Sequence, residues 1–180
     1  MEHAQLVKIS KRMSKALRHE PARAGLTLDA AGWVPVDEFL AAMHLDRATL
    51  DAVVAGNDKQ RFAVAVGADG IERIRANQGH SIPVELGLEE SQPPEMLFHG
   101  TAAASLSSIL ATGLNRGGRH HVHLSPDTAT AARVGARRGG ATVILTVLAG
   151  DMARGGHTFY RSQNGVWLTD EVPPEFIRTP

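Results

Sequence analysis

Arg18 and His19 stand side by side at the end of a basic segment, and Pro21 follows two residues later. A guanidinium presents a planar fork of N–H donors that matches phosphate oxygens, and an imidazole titrates near neutral pH. The pair could therefore bind a phosphate and transfer a proton. It could equally be the solvated end of a surface helix, where a cation offsets the negative end of the helix dipole.

A second polar stretch, RIRANQGHS, spans residues 73–81 and follows a predicted strand. Its small and polar residues form a loop that can direct several hydrogen-bond donors at one anion. The alternative is a solvated connection that binds nothing.

Two predicted strands in the second half carry histidine motifs, LFHGT and HVHLS. Gly100 follows His99 in the first motif, and a residue without a side chain allows the backbone to approach a ligand closely. A third motif, RVGARRGG, places Arg133 and Arg137 one turn apart on a predicted helix. Each signal also has an ordinary explanation: a buried histidine with a hydrogen-bond partner, or arginines that offset a helix dipole.

The composition narrows the function classes. The chain has 180 residues and a formal net charge of zero, so affinity for an anion has to come from local clusters of positive charge. Every lysine or arginine after Arg75 is an arginine, and the absence of cysteine excludes disulfides and thiolate chemistry. The sequence lacks the motifs G-x-x-x-x-G-K-[ST] and G-x-G-x-x-G, and the histidines of HHVHLS lack the further ligands that a metal site needs. We expect no metal.

The sequence also predicts neither a membrane span nor a signal peptide. No apolar run approaches the length of a membrane span, and the N-terminus lacks the apolar core of a signal peptide. We therefore expect a cytoplasmic protein.

The first half has the pattern of three helices and a hairpin. Helical periodicity covers residues 4–19, a second helix is predicted at 36–43 with Asp37 as its N-cap, and a third begins near Asp46. Alternating residues on both sides of GADG predict a hairpin. This is the outline of a winged helix, a module that often presents a basic helix to nucleic acid. The acidic, proline-containing stretch at 84–95 is predicted to be a linker.

The second half alternates short strands with two predicted helices, of which the second is capped by Asp127 and ends at Gly139. This pattern favours an α+β lobe over a doubly wound parallel sheet. The fold class predicted for the whole chain is therefore α+β, with one domain at 1–88 and another at 89–180.

Seven stretches, taken together, resemble one family: SKALRHEP, GLTLDAAGWVPVDEFL, RIRANQGHS, LFHGT, HVHLS, VGARRG and NGVWLTDEVPP. From about Ile9 to Ile177 the chain resembles the KptA-type RNA 2′-phosphotransferase family. The resemblance implies a winged-helix RNA-binding lobe followed by an ADP-ribosyltransferase-like lobe that binds NAD. The spacing between RHEP and RANQGHS is longer here than in many members, and the extra residues are expected around 46–59.

The resemblance implies an enzyme that removes an internal 2′-phosphate from RNA, as left at a ligated tRNA splice junction. NAD⁺ would be consumed as co-substrate, and the intermediate would be RNA-phospho-ADP-ribose. The implied products are RNA with a 2′-hydroxyl, nicotinamide and ADP-ribose 1″,2″-cyclic phosphate. The implied partners are a tRNA-like RNA and NAD, and we expect a monomer.

The resemblance also assigns residues. The implied catalytic residues are Arg18, His19, Arg75 and Arg137. Arg138 is an alternative to Arg137, and His19 could transfer a proton or only bind phosphate. The implied NAD-binding residues are His99, Gly100, Thr101, Arg119, His123, Leu124, Ser125 and Val166. The RNA-binding residues that we expect are Lys8, Lys11, Arg12, Lys15, Asn77, Gln78, His80 and Ser81.

Two other functions remain open on the sequence. The first is another NAD-dependent ADP-ribosyltransferase that modifies a nucleic-acid phosphate or a small molecule, which would leave ADP-ribose attached and form no cyclic phosphate. The second is a winged-helix DNA-binding regulator, which would bind duplex DNA and turn over nothing.

Overall fold

The computed structural model describes residues 3–56 and 60–180, without the side chain of Arg138. Within these residues the chain is a mixed α/β protein with six α-helices and several small antiparallel sheets. Residues 57–59, which belong to the stretch where extra residues are expected, lie outside the described part.

The chain divides into two compact units, Met1–Gly87 and Leu88–Pro180. The division lies one residue from the expected boundary at 88/89, and it falls within the stretch at 84–95 that is predicted to be a linker. Assignment of the two units to a winged helix and an ADP-ribosyltransferase-like lobe stays a prediction.

The first unit consists of three helices and one small sheet within its described residues. Its elements are α1 (His3–Arg18), β1 (Val34–Pro35), α2 (Val36–Met43), α3 (Arg47–Ala55), β2 (Phe62–Val66) and β3 (Glu72–Ala76). β3 lies between β1 and β2, and both pairings are antiparallel. The predicted helices and the hairpin around GADG are thus confirmed.

The apolar face of α1 forms one side of the core of this unit. Met13 and Leu17 are fully buried and share a cluster with Phe39 of α2, Leu50 of α3 and Ile74 of β3. Because apolar residues recur every three or four positions along α1, its lysines and Arg12 are left on the side that faces solvent, whereas Arg18 is half-buried.

The two helix starts predicted in this unit differ in outcome. The third helix begins after Asp46, as predicted, and Asp46 is its N-cap, since its carboxylate accepts a hydrogen bond of 2.6 Å from Thr49 N. The prediction for α2 is wrong: Pro35 occupies the N-cap and Asp37 lies inside the first turn. A carboxylate is still favourable there, near the positive end of the helix dipole.

The second unit combines three helices with eight short strands within its described residues. Its elements are β4 (Leu97–Ala102), α4 (Leu106–Thr112), β5 (Leu114–Asn115), β6 (Val122–Leu124), α5 (Thr128–Gly135), β7 (Thr142–Val147), α6 (Ala149–Arg154), β8 (Phe159–Arg161), β9 (Trp167–Thr169), β10 (Glu171–Val172) and β11 (Ile177–Arg178). The antiparallel sheets have the orders β11-β7-β4, β6-β9-β8 and β10-β5. The prediction of only two helices is wrong, because α6 is a third.

Helix α5 packs against β4 at two glycines. A Cβ built at Gly100 would lie 1.9 Å from the carbonyl oxygen of Ala131, and one built at Gly135 would lie 2.9 Å from the carbonyl carbon of Gly100. Only hydrogen fits at these positions. The close approach that the sequence predicts at Gly100 is therefore made by a helix of the same unit.

The end of α5 differs from the prediction that the helix continues to Gly139. The α-helix ends at Gly135, and Ala136–Arg138 forms a 3₁₀ turn. A 3₁₀ turn has three residues per turn instead of 3.6. Arg133 and Arg137 therefore do not lie one α-helical turn apart. Across the described residues, none of the helices is both long and apolar enough to cross a bilayer.

Candidate functional site

Arg18 and His19, at the C-terminal end of α1, are joined to a loop that is distant in sequence. His19 Nδ1 is hydrogen-bonded to Ser81 Oγ at 2.9 Å, and Ser81 N donates to the carbonyl oxygen of Arg18 at 2.9 Å. His19 and Ser81 are separated by 62 positions along the chain. The fold thus brings the predicted Arg-His pair to the end of the predicted anion-binding loop.

This loop is held from inside by two buried side chains. Asn77 Nδ2 donates to the carbonyl oxygen of Gln60 at 2.5 Å, and His80 is only 2% exposed. Gln78 is half-buried and Ser81 is exposed. Among the loop residues predicted to contact RNA, Gln78 and Ser81 are therefore accessible, whereas Asn77 and His80 have their side chains in the interior.

Arg75 lies on β3, directly before the loop. Its guanidinium carbon is 4.6 Å from the centroid of the Trp33 ring, and its Nη1 donates to the carbonyl oxygen of Ala31 at 3.3 Å. Burial lowers the pKa of Arg75, and the negative charge of Asp29 acts in the opposite direction. Arg75 Nε is buried and has no hydrogen-bond partner within the described residues.

A tight turn positions Trp33. Asp29 Oδ1 accepts hydrogen bonds from Ala31 N at 2.9 Å and from Trp33 N at 2.8 Å, and Asp29 N donates to the carbonyl oxygen of Trp33. Gly32 has a φ of +81°, a conformation that favours glycine. Asp29 and Trp33 are not among the predicted site residues. Their signal was present in DAAGW, which combines a turn-forming aspartate, a glycine and an aromatic ring.

The predicted RNA-binding face of α1 is exposed, and two of its cations already have protein partners. Lys15 Nζ is 3.1 Å from Glu20 Oε2, and Arg12 donates to a carbonyl oxygen at the end of α2. Lys8 and Lys11 are exposed. Exposed ion pairs are weak, so the pairing of Lys15 does not prevent a contact with phosphate.

In the second unit, His99 and His123 meet where β4 and β6 run side by side. Phe98 and Ser125 exchange two backbone hydrogen bonds of 2.9 and 2.8 Å. His99 Nδ1 is 3.1 Å from the carbonyl oxygen of His123. Because a carbonyl can only accept, Nδ1 is the donor, which fixes the orientation of the His99 ring.

The other residues predicted to bind NAD differ in exposure. Leu124 and Thr101 are 1% and 5% exposed, so their side chains belong to the interior. Ser125 and Val166 are half-buried, and Arg119 is exposed. Gly100 faces α5, as described above. Among these residues, the two histidines together with Arg119, Ser125 and Val166 have side chains with accessible surface.

Val166 stands at the end of the turn that joins β8 to β9. Its backbone N donates to Ser162 Oγ at 3.1 Å, and its carbonyl accepts from Ser162 N at 2.9 Å. The next residue, Trp167, pairs with Leu124 of β6. Val166 is thereby held at the end of the strand pair that carries His123.

Arg137 lies in the 3₁₀ turn after α5 and is exposed. Arg133, on α5 itself, donates to Thr130 Oγ1 at 3.1 Å. The side chain of Arg138 lies outside the described part, so the alternative between Arg137 and Arg138 stays open. In the described chain, no three histidine or carboxylate side chains are grouped as the ligands of one metal ion would be.

Asp127 is the N-cap of α5, the helix that precedes Arg137. We expect its contribution to the stability of the folded protein to depend on pH. It caps α5 by accepting a hydrogen bond of 2.6 Å from Thr130 N, and this bond holds the pKa of Asp127 below its usual value of 3.8. The stabilisation that Asp127 gives the folded protein is therefore complete at a pH above 3.8, and it is lost as the pH falls through the lowered pKa. Asp127→Ala should destabilise the protein at pH 7, and its difference from the wild type should narrow at pH 3.

Urea unfolding at both pH values measures this difference. Glu89→Ala, which removes an exposed carboxylate from the stretch before β4, is the control and should show no such convergence. A difference between Asp127→Ala and the wild type that stays constant from pH 7 to pH 3 would contradict the cap as the source.

Comparison with known proteins identifies the same family in every match reported below. A family model described as "RNA 2'-phosphotransferase, Tpt1 / KptA family" matches residues 4–171. A "Probable RNA 2'-phosphotransferase" of Streptomyces griseus subsp. griseus is 55% identical over 98% of each chain. Proteins with the same name are 54% identical in Burkholderia lata, over 95% of this chain and 89% of that protein, and 49% identical in Pseudomonas aeruginosa, over 99% of each.

Proposed function

Because this chain belongs to the RNA 2′-phosphotransferase family, we propose that it removes an internal 2′-phosphate from RNA and consumes NAD⁺ in doing so. The observation that carries the proposal is the pair of hydrogen bonds between Ser81 and the Arg18–His19 segment. They join the imidazole of His19 to the hydroxyl of Ser81 and tie the loop to the backbone of Arg18, and imidazole, hydroxyl and guanidinium groups together suit a phosphate dianion.

We assign the substrate phosphate to Arg18, His19 and Arg75. Arg137 stays the fourth catalytic residue that the family resemblance implies. A phosphomonoester carries nearly two negative charges at neutral pH, and it has to approach a dinucleotide that is itself anionic. Cations that are positioned in advance offset this repulsion without reorganisation during the reaction. The support for Arg75 is that it is held in place while keeping its charge.

We assign NAD⁺ to the second unit, at His99, His123, Arg119 and Ser125. Imidazole, guanidinium and hydroxyl groups are the donors that ribose hydroxyls and a pyrophosphate require. The hydrogen bond from His99 to the His123 carbonyl supports this assignment, because it orients a half-buried ring in advance. Val166 provides an apolar contact where no general base is needed, since the proposed nucleophile is already an anion.

Two bond changes make up the proposed reaction. An oxygen of the RNA 2′-phosphate bonds to the ribose carbon that carries nicotinamide, and nicotinamide leaves with the electron pair of the broken bond. The neighbouring ribose hydroxyl then attacks phosphorus and loses its proton, while the 2′-oxygen of the RNA leaves and gains one. We propose that His19 serves these proton transfers, because it is exposed and an imidazole titrates in the required range.

We further propose that the first unit is a winged-helix lobe that binds RNA through α1 and the loop after β3. The order of its elements, with three helices and a terminal hairpin, supports this assignment. The exposed lysines Lys8 and Lys11 would contact phosphates that flank the one being removed. Such contacts make RNA affinity fall as the salt concentration rises.

The direct test is incubation with NAD⁺ and an oligoribonucleotide that carries one internal 2′-phosphate. We expect RNA with a 2′-hydroxyl, nicotinamide and ADP-ribose 1″,2″-cyclic phosphate in equal amounts, with no reaction when NAD⁺ is omitted. The same oligonucleotide without the 2′-phosphate is the control.

Two other results would overturn the proposal. ADP-ribose that stays attached to the nucleic acid, without cyclic phosphate, would indicate a different ADP-ribosyltransferase. Binding to duplex DNA without any turnover would indicate a regulator.

A further inference from the structure

We propose that the turn from Asp29 to Trp33 positions the Arg75 guanidinium through uncharged groups, so that its positive charge remains available to the substrate. Trp33 is the positioning residue, and it acts through Arg75. The identity of the substrate as an RNA phosphate rests on the proposed function, whereas the positioning itself does not.

Other arginines of the first unit show the contrast. Arg73 pairs with Asp69 at 2.6 Å, and Arg47 pairs with Glu72. Arg73 is the closest comparison, because it lies two residues before Arg75 and therefore on the same face of β3. One face of one strand thus carries two arginines, of which Arg73 is neutralised by a carboxylate.

Arg75 is held differently. Its contacts are the face of the Trp33 ring, at 4.6 Å, and the carbonyl oxygen of Ala31, at 3.3 Å. No ion pair of Arg75 occurs within residues 3–56 and 60–180. A carboxylate could hold the guanidinium equally firmly, but it would compete with a phosphate for the same N–H donors. An aromatic face attracts the cation and does not occupy the donors at its edge.

The turn that carries Trp33 is fixed on both sides. On the inside, both backbone amides that bond to Asp29 Oδ1 belong to the turn itself. The carboxylate of Asp29 therefore accepts hydrogen bonds from the backbone, and Asp29 forms no ion pair with Arg75 within the described chain. On the outside, Glu85 N donates to the carbonyl oxygen of Ala30 at 2.7 Å, and a Cβ built at Gly32 would lie 3.5 Å from His80 Nε2.

The buried His80 thereby acquires a structural role. It packs behind the turn that supports Arg75, and Ser81, the next residue, bonds to His19. The loop after β3 therefore links the supports of two predicted phosphate-binding residues.

The first experiment introduces a carboxylate next to Arg75 by substitution. Ala63 lies directly opposite Arg75 in the β2–β3 pairing, and directly opposed residues on one face have Cβ atoms about 5 Å apart. Ala63→Glu should pair with Arg75 and lower kcat/KM for the 2′-phosphorylated oligonucleotide by about tenfold or more. The melting temperature should stay close to that of the wild type.

Two matched variants separate charge from size and from position. Ala63→Gln has nearly the same shape without the charge, and it should change kcat/KM by less than about threefold. Ala65→Glu places the same charge opposite Arg73, which already has a carboxylate, and should be equally mild. Ala63→Glu as active as Ala63→Gln would overturn the proposal.

The second experiment follows Arg75 directly by NMR. The Nε–H resonance, identified by its absence in Arg75→Lys, should be shifted upfield by the Trp33 ring in the wild type. Trp33→Phe should retain part of this shift and most of the activity. Trp33→Leu should lose the shift and lower kcat/KM about tenfold, the scale expected when a partly buried cation–π contact is lost.

The activity and the Arg75 resonance test different claims. The resonance tests whether Trp33 positions Arg75, and the activity of the wild type tests the proposed function. An unchanged Arg75 resonance in Trp33→Leu would overturn the positioning role whatever the activity. A wild-type protein that leaves the 2′-phosphate in place, together with a resonance that moves in Trp33→Leu, would overturn the proposed function and support the positioning.

Discussion

His19→Ala is expected to lower the rate of 2′-phosphate removal by about a thousandfold or more, because a positioned acid–base group and a phosphate contact are lost together. His19 is exposed and its ring bonds to Ser81 Oγ, so removing the ring leaves the core intact. The melting temperature should therefore stay within about 2 °C of the wild type. Single-turnover rates with saturating NAD⁺ and RNA measure the chemical steps.

Two further variants separate proton transfer by His19 from the orientation of its ring. His19→Asn keeps a polar group able to bond to Ser81 but cannot transfer a proton, so it should remain nearly as slow as the alanine variant. Ser81→Ala keeps the imidazole and loses only its orientation, with an expected loss of about tenfold. A His19→Ala protein that retains more than a tenth of the wild-type rate would place the acid–base chemistry elsewhere.

Gly100→Ala is expected to destabilise the protein by about 3 kcal/mol or more, or to prevent folding of the second unit. The added methyl group would lie 1.9 Å from the carbonyl oxygen of Ala131, so that α5 would have to move away from β4. For a unit of this size, the melting temperature should fall by at least about 10 °C. Thermal unfolding followed by circular dichroism gives the value.

Gly118→Ala is the matched control for this substitution. Nothing lies within 4 Å of a Cβ built at Gly118, and its backbone does not require glycine. It should melt like the wild type. A Gly100→Ala protein that also melts like the wild type, but needs far more NAD⁺, would show that this glycine serves the ligand and not the packing.

The sequence by itself predicted most of the helices and strands and named the candidate site residues. Local patterns predicted α1, the hairpin around GADG, the start of α3 near Asp46 and the N-cap at Asp127, because helix periodicity, turn residues and caps depend on neighbours within a few positions. The Arg-His pair and the polar loop were also visible, since each is a short contiguous motif. α6 was missed, because its short apolar segment directly continues a buried strand.

Only the tertiary structure decided what each of these residues contacts. The bond between His19 and Ser81 and the stacking of Arg75 on Trp33 join residues far apart in the chain, and no local pattern specifies such partners. The same reason explains why Gly100 faces a helix and Leu124 faces the core. Alternation along a strand gives two faces, but what covers each face depends on how distant elements pack.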